Sequence, residues 1–143
     1  MTAIVERRYS ETIHPLHAIV LAGALTLFAA ALISDVAYVR SFHLQWQNFA
    51  SWLVVGAMVL TSVALIFAIV DLAQSHRRAH GIGLYVAVLI VTWIVGFLDA
   101  LMHARDAWAS MPGGLILSVI TTVLAAVAVA LGFRTRRRVE SVL

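Results

Sequence analysis

The sequence predicts an all-α fold, a four-helix transmembrane bundle in up-down-up-down order with both termini in the cytoplasm. Apolar residues make up 62% of the 143-residue chain, and its mean hydropathy is +0.96; soluble domains contain roughly 45–50% apolar residues. These residues form four long runs, each the length of a helix that crosses a bilayer. The arginines stand at the ends of the runs, which is typical of membrane topology and not of a nucleic-acid-binding face.

The first two spans are predicted over residues 13–34 and 49–70. Pro15 fits the first turn of the first span, because a helix start needs no backbone N–H from that residue. The intervening residues 36–48 are polar and aromatic, as expected of a connection at the membrane–water interface.

The third and fourth spans are predicted over residues 81–103 and 113–133, and Pro112 stands at the expected first turn of the fourth. All connections are short, so consecutive helices should run antiparallel beside each other. The whole chain, residues 1–143, is therefore expected to form a single integral membrane domain.

The arginines also predict which side of the membrane each connection faces. Short cytoplasmic segments carry an excess of basic residues, which places both termini and the middle connection inside. A multi-pass protein of the bacterial inner (cytoplasmic) membrane is the simplest location. Eight arginines share the inner side, Arg7, Arg8, Arg77, Arg78, Arg134, Arg136, Arg137 and Arg138, against Arg40 and Arg105 on the outer side.

Cysteine is absent, which excludes disulfides, thiolate-bound zinc, iron–sulfur clusters and covalently attached haem. Any metal or haem would need His, carboxylate, Met or Tyr ligands. No serine-nucleophile elbow, phosphate-binding loop or His-Glu-x-x-His motif is present. The sequence therefore favours a protein that is not an enzyme and binds no cofactor. It does not exclude either an activity or a cofactor.

The densest set of ionisable residues closes the third span. On an ideal helix, Asp99, His103 and Asp106 fall within about 60° of each other. Asp35, at the end of the first span, could join them at the outer side. Oxygen and nitrogen ligands without sulfur suit zinc, manganese or iron(II), so one hypothesis is a divalent-metal site; a proton-active polar pocket and a plain helix end entering water are the alternatives.

A second group of histidines stands at the predicted cytoplasmic side. His17 on the first helix and His80 at the start of the third lie at the same predicted depth, with His14 one turn before His17. Axial histidines on neighbouring helices are a common way for a bundle to hold haem. The alternatives to a haem b site are a capping role for His14 and a loop position for His80 among arginines.

Several short polar and aromatic segments occur in a recognisable order: His14-Pro15-Leu16, Asp35, Ser51-Trp52-Leu53, Asp71-Leu72, and the segments 45–52 and 100–108. With these, residues 14–133 resemble the bacterial membrane family called domain of unknown function 2231. The resemblance implies a four-span inner-membrane protein without an established activity. Some relatives are associated with quinoprotein-type sugar dehydrogenases, which implies a membrane anchor or electron conduit for a periplasmic redox enzyme.

Three functions follow as hypotheses. The first is a small subunit without chemistry of its own that docks a periplasmic or membrane redox enzyme. The second is a haem b electron carrier, and the third is the divalent-metal site. In each case the lipid bilayer is a partner, and association into a homo-oligomer remains open.

Overall fold

A computed structural model describes residues 15–74 and 81–140, with side chains described for residues 15–73 and 81–133. The described part is helical: α1 (Pro15–Ser41), α2 (Leu44–Gln74), α3 (Ile82–His103), the short α4 (Ala107–Ser110) and α5 (Gly113–Glu140). The helices α1, α2, α3 and α5 are long and apolar enough to cross a membrane. The predicted all-α fold with four membrane-spanning helices is confirmed, and the orientation of the termini stays a prediction.

The turn between α1 and α2 is shorter than the sequence predicted. Residues 36–48, predicted to be a connection, are helical except for Phe42 and His43. Phe42 adopts a left-handed backbone conformation with φ of 55°, and its N–H donates to the carbonyl of Tyr38 at 2.7 Å. A left-handed residue that returns a hydrogen bond to the last turn is a common way to end a helix, so the chain reverses within two residues.

The four long helices form a closed bundle in which α1 and α3 each pack against both α2 and α5. Because α1 and α3 lie on a diagonal, side chains that join them cross the middle of the bundle. His17 reaches Tyr85, and Asp35 reaches His103, with the same sequence separation of 68 residues. This constant offset shows that α1 and α3 run parallel and in register.

The inward face of each long helix follows the seven-residue repeat of left-handed helix packing. Most inward residues are small, which lets the helix backbones come close, as is usual inside membranes. In α2 the buried positions are Gln47, Ala50, Val54, Ala57, Thr61, Ala64 and Ala68, and in α5 they are Gly114, Ser118, Thr121, Ala125, Ala128 and Gly132.

The middle of the bundle is filled mainly by apolar side chains. Phe28 and Leu89 are the largest fully buried apolar side chains there. The buried hydroxyls of Thr61, Thr92 and Thr121 each donate to the backbone carbonyl four residues earlier, at 2.7 to 2.8 Å. These hydroxyls are therefore satisfied within their own helices and form no polar connection between helices.

Candidate functional site

Four buried side chains from three helices form a closed ring of polar contacts at one end of the bundle. We call Asp35, Asp99, His103 and Ser118 the Asp–His ring. His103 Nε2 lies 2.9 Å from Asp35 Oδ1, and His103 Nδ1 lies 3.1 Å from Asp99 Oδ1. Ser118 Oγ donates to Asp35 Oδ2 at 2.6 Å and lies 3.3 Å from Asp99 Oδ2. The ring ties α1, α3 and α5 together.

Local sequence explains why these side chains meet. Asp99 and His103 are one turn apart on the inward face of α3, so the His103 ring can also contact the backbone carbonyl of Asp99, at 3.0 Å. Gly114 of α5 supplies the space for the imidazole, since a Cβ at that position would lie 3.2 Å from His103 Cε1. A larger residue at position 114 would press on the imidazole.

The two carboxyl groups of the ring are removed from solvent, with Asp35 and Asp99 both 0% exposed. A buried charge is costly unless it is paired and hydrogen-bonded. Within the part of the chain that the structure describes, the ion pairs of both carboxylates are with His103. The His103 imidazole is therefore the shared ion-pair partner of both carboxylates.

Counting hydrogens shows what the ring can do chemically. A doubly protonated His103 donates one N–H to each carboxylate. Ser118 has a single hydroxyl hydrogen, and Asp35 is its nearer acceptor. The contact between Ser118 and Asp99 then joins two oxygens, and a proton on the Asp99 carboxyl would complete it while neutralising the ring. The ring thus has a position for one exchangeable proton.

Asp106 was predicted to bind a metal with Asp35, Asp99 and His103, but the structure places it apart from them. It is exposed and lies three residues after the end of α3, just before α4. Asp35 and Asp99 approach opposite nitrogens of His103, so their lone pairs do not converge with an imidazole lone pair on one point, as metal ligands must. Among the described side chains, those of residues 15–73 and 81–133, no group of three or more acidic, His or Cys residues is arranged to hold a metal ion.

Of the histidines predicted to bind haem, His14 and His80 lie outside the described residues. His17 is buried at the end of the bundle opposite the Asp–His ring. Its Nε2 lies 2.8 Å from the hydroxyl of Tyr85, and its ring stacks on Phe67 with 5.5 Å between ring centroids. The described cross-bundle contact of His17 is thus a tyrosine, and the haem pair stays a prediction.

The two polar contacts between α1 and α3 are separated by about the thickness of a bilayer. From His17 to Asp35 on α1, and from Tyr85 to His103 on α3, the separation is eighteen residues. At 1.5 Å per residue this corresponds to about 27 Å, close to the ~30 Å hydrocarbon thickness of a bilayer. This separation would allow one polar layer to lie near each surface of a bilayer.

Sequence reasoning missed two members of these layers. Ser118 stands inside the long apolar run of α5, and Tyr85 inside that of α3. The signal that could have identified Ser118 is its spacing from Gly114 and Thr121, four and three residues away, which marks a strip of small residues in an otherwise bulky segment.

Comparison with known protein families identifies a family for this chain. The family model described as "Predicted membrane protein (DUF2231)" matches residues 13–140, which is nearly the whole chain. No curated protein and no solved structure matches the sequence or the fold.

Proposed function

This chain belongs to the DUF2231 family of predicted membrane proteins, as its sequence resemblance predicted, and on that premise we propose that it is a membrane-embedded proton-binding protein. The observation that supports the proposal is the closed Asp–His ring, in which two buried carboxylates share one imidazole. Ionisable groups inside membrane spans are rare, and where they occur they commonly serve ion pathways and proton relays.

In this proposal the proton is taken up at the Asp99 carboxyl, next to Ser118. Binding of this proton removes the excess negative charge of the Asp–His ring, and its release restores that charge. His103 holds the carboxyl groups of Asp35 and Asp99 in place in both states, through Nε2 and Nδ1 respectively. The ring therefore changes charge by one unit without requiring the helices to separate.

Infrared spectroscopy of the protein in membranes tests this proposal. As the pH is lowered, the C=O stretching band of a buried protonated carboxylic acid should gain intensity, because a proton binds to Asp99. We expect the Asp99→Asn variant to lose this band. The matched control is Asp106→Asn, since Asp106 is exposed and outside the ring, and it should retain the band. Equal bands in wild type and Asp99→Asn would contradict the proposal.

A second candidate function is that of an anchor or partner subunit for a periplasmic or membrane redox enzyme in the bacterial inner membrane. The family resemblance suggests such a partner, and the arginine distribution would place the Asp–His ring on the periplasmic side. The specific observation that favours it is an exposed aromatic pair at the same end. Phe42 and Trp108 stack with 5.9 Å between ring centroids, and both stand at connections rather than within the long helices.

Co-purification in mild detergent tests the subunit role. A redox enzyme should accompany the wild-type chain, and Trp108→Ala should reduce its recovery severalfold, since large aromatic residues dominate interface energies. Trp52→Ala is the matched control, because Trp52 is 71% exposed, similar to 77% for Trp108, but lies within α2. A monodisperse homo-oligomer without a redox enzyme, or equal losses in both variants, would contradict this role.

A further inference from the structure

Gln47 is a buried amide at the start of α2. It is 5% exposed, and neither its side-chain nitrogen nor its side-chain oxygen has a hydrogen-bond partner among the described residues. Leaving such a group unpaired in the interior is unfavourable, because it loses its hydrogen bonds to water and gains none in the protein. Buried polar groups that lack a protein partner are commonly satisfied by ordered water, so the amide itself points to a ligand with both donor and acceptor atoms.

The position of Gln47 relates it to the Asp–His ring. Ser51 lies one turn further along α2, and its hydroxyl is 2.9 Å from the backbone carbonyl of Gln47 and 3.2 Å from that of His103. Ser51 therefore fixes this face of α2 against the end of α3. Gln47 stands about 6 Å further along the helix axis, towards the end of the bundle, and residues 44–46 beyond it are exposed.

We propose that the Gln47 side chain holds ordered water that connects the Asp–His ring to the aqueous phase at this end of the bundle. The inference rests on the proposed proton-binding function and adds the route of access. A carboxamide both donates and accepts hydrogen bonds, so it can hold water in the orientation needed for either direction of proton transfer. A hydronium ion that reaches the ring gives its proton to the Asp99 carboxylate and leaves as water.

Hydrogen exchange at the His103 ring nitrogens tests this route in the full chain. Histidine is labelled with ¹⁵N, the protein is transferred to deuterated water, and the loss of the ring N–H signals is followed by NMR. Gln47→Met removes the amide and keeps the chain length of the side chain. Exchange should slow by at least about tenfold in this variant, because without water it requires local opening of the bundle.

Two further variants serve as controls. Gln47→Asn keeps an amide and should exchange nearly as fast as wild type, while Gln45→Leu alters an exposed residue of the same helix and should have no effect. Where Gln47→Met does not fold, Gln47→Leu is measured in the same way. Wild-type exchange rates in a folded variant that lacks the amide would overturn the inference.

The infrared measurement separates this inference from the function on which it rests. The Asp99 carboxylic-acid band is an equilibrium property, so it should persist in Gln47→Met even when exchange is slow. A band that is absent from the wild type contradicts the proposed function. A band that is present, together with unchanged exchange in Gln47→Met, contradicts only the water route.

Discussion

Replacing His103 with alanine should lower the free energy of unfolding by about 3–5 kcal/mol, the usual cost of removing one partner from a buried ion pair. Asp35 and Asp99 are both 0% exposed, and the substitution leaves two adjacent carboxyl groups without the imidazole that both contact. The change can be measured by reversible unfolding of the purified protein in mixed micelles or by its thermal melting temperature.

Two comparisons identify the source of this loss. Thr61→Val removes a buried hydroxyl that bonds only to its own helix, and it should cost less than about 1 kcal/mol. Replacing His103 with leucine and both Asp35 and Asp99 with valine should recover most of the stability, since replacing a whole buried ion pair by apolar residues of similar volume is often neutral. A His103→Ala loss no larger than that of Thr61→Val would show that the ring does not stabilise the bundle.

Gly96→Val should lower the free energy of unfolding by about 1–3 kcal/mol, the typical cost of overpacking a core. A Cβ at Gly96 would lie 2.7 Å from Met58 Sδ, 3.2 Å from Phe28 Cζ and 3.4 Å from Thr121 Cγ2. These three side chains belong to α2, α1 and α5, so all four long helices meet at this glycine. Thermal melting in detergent measures the effect.

The same helix supplies the matched control for Gly96. Nothing lies within 4 Å of a Cβ placed at Gly83, so Gly83→Val should change the stability by only a few tenths of a kcal/mol, the difference in helix propensity between the two residues. Equal melting temperatures for the two valine variants would contradict the close approach of the helices at Gly96.

The four membrane-spanning helices could be predicted from the sequence because lipid imposes long apolar helices, whereas the short α4 lies in a segment expected to be a connection. The inward faces could not be predicted in the same way, since these helices are apolar on all sides and hydrophobic periodicity carries little information. The size of the residues marks the inward face instead, as with Ala57 and Ala64 in α2 and Ala125 in α5, all of which are buried.

Helix geometry could predict which residues of the candidate site share a face of one helix, but not which residues other helices contribute. Asp99 and His103 share a face because they lie one turn apart, and the structure brings Asp35 into contact with them. Asp106 does not share this face, because α3 ends at His103. The angular positions of an ideal helix do not apply to residues beyond its end. Ser118 joins from a helix whose sequence carries no ionisable group near it, so only packing shows its place.

The apolar layers around Phe28 and Leu89 have a consequence for bioenergetics. They separate the two polar layers, and the buried threonines described between them bond to their own helices. Among the described side chains, the hydroxyls of Thr61, Thr92 and Thr121 therefore do not form a hydrogen-bonded chain between the two layers. If the Asp–His ring binds a proton as we propose, that proton would exchange with one side of the membrane and would not dissipate the proton-motive force.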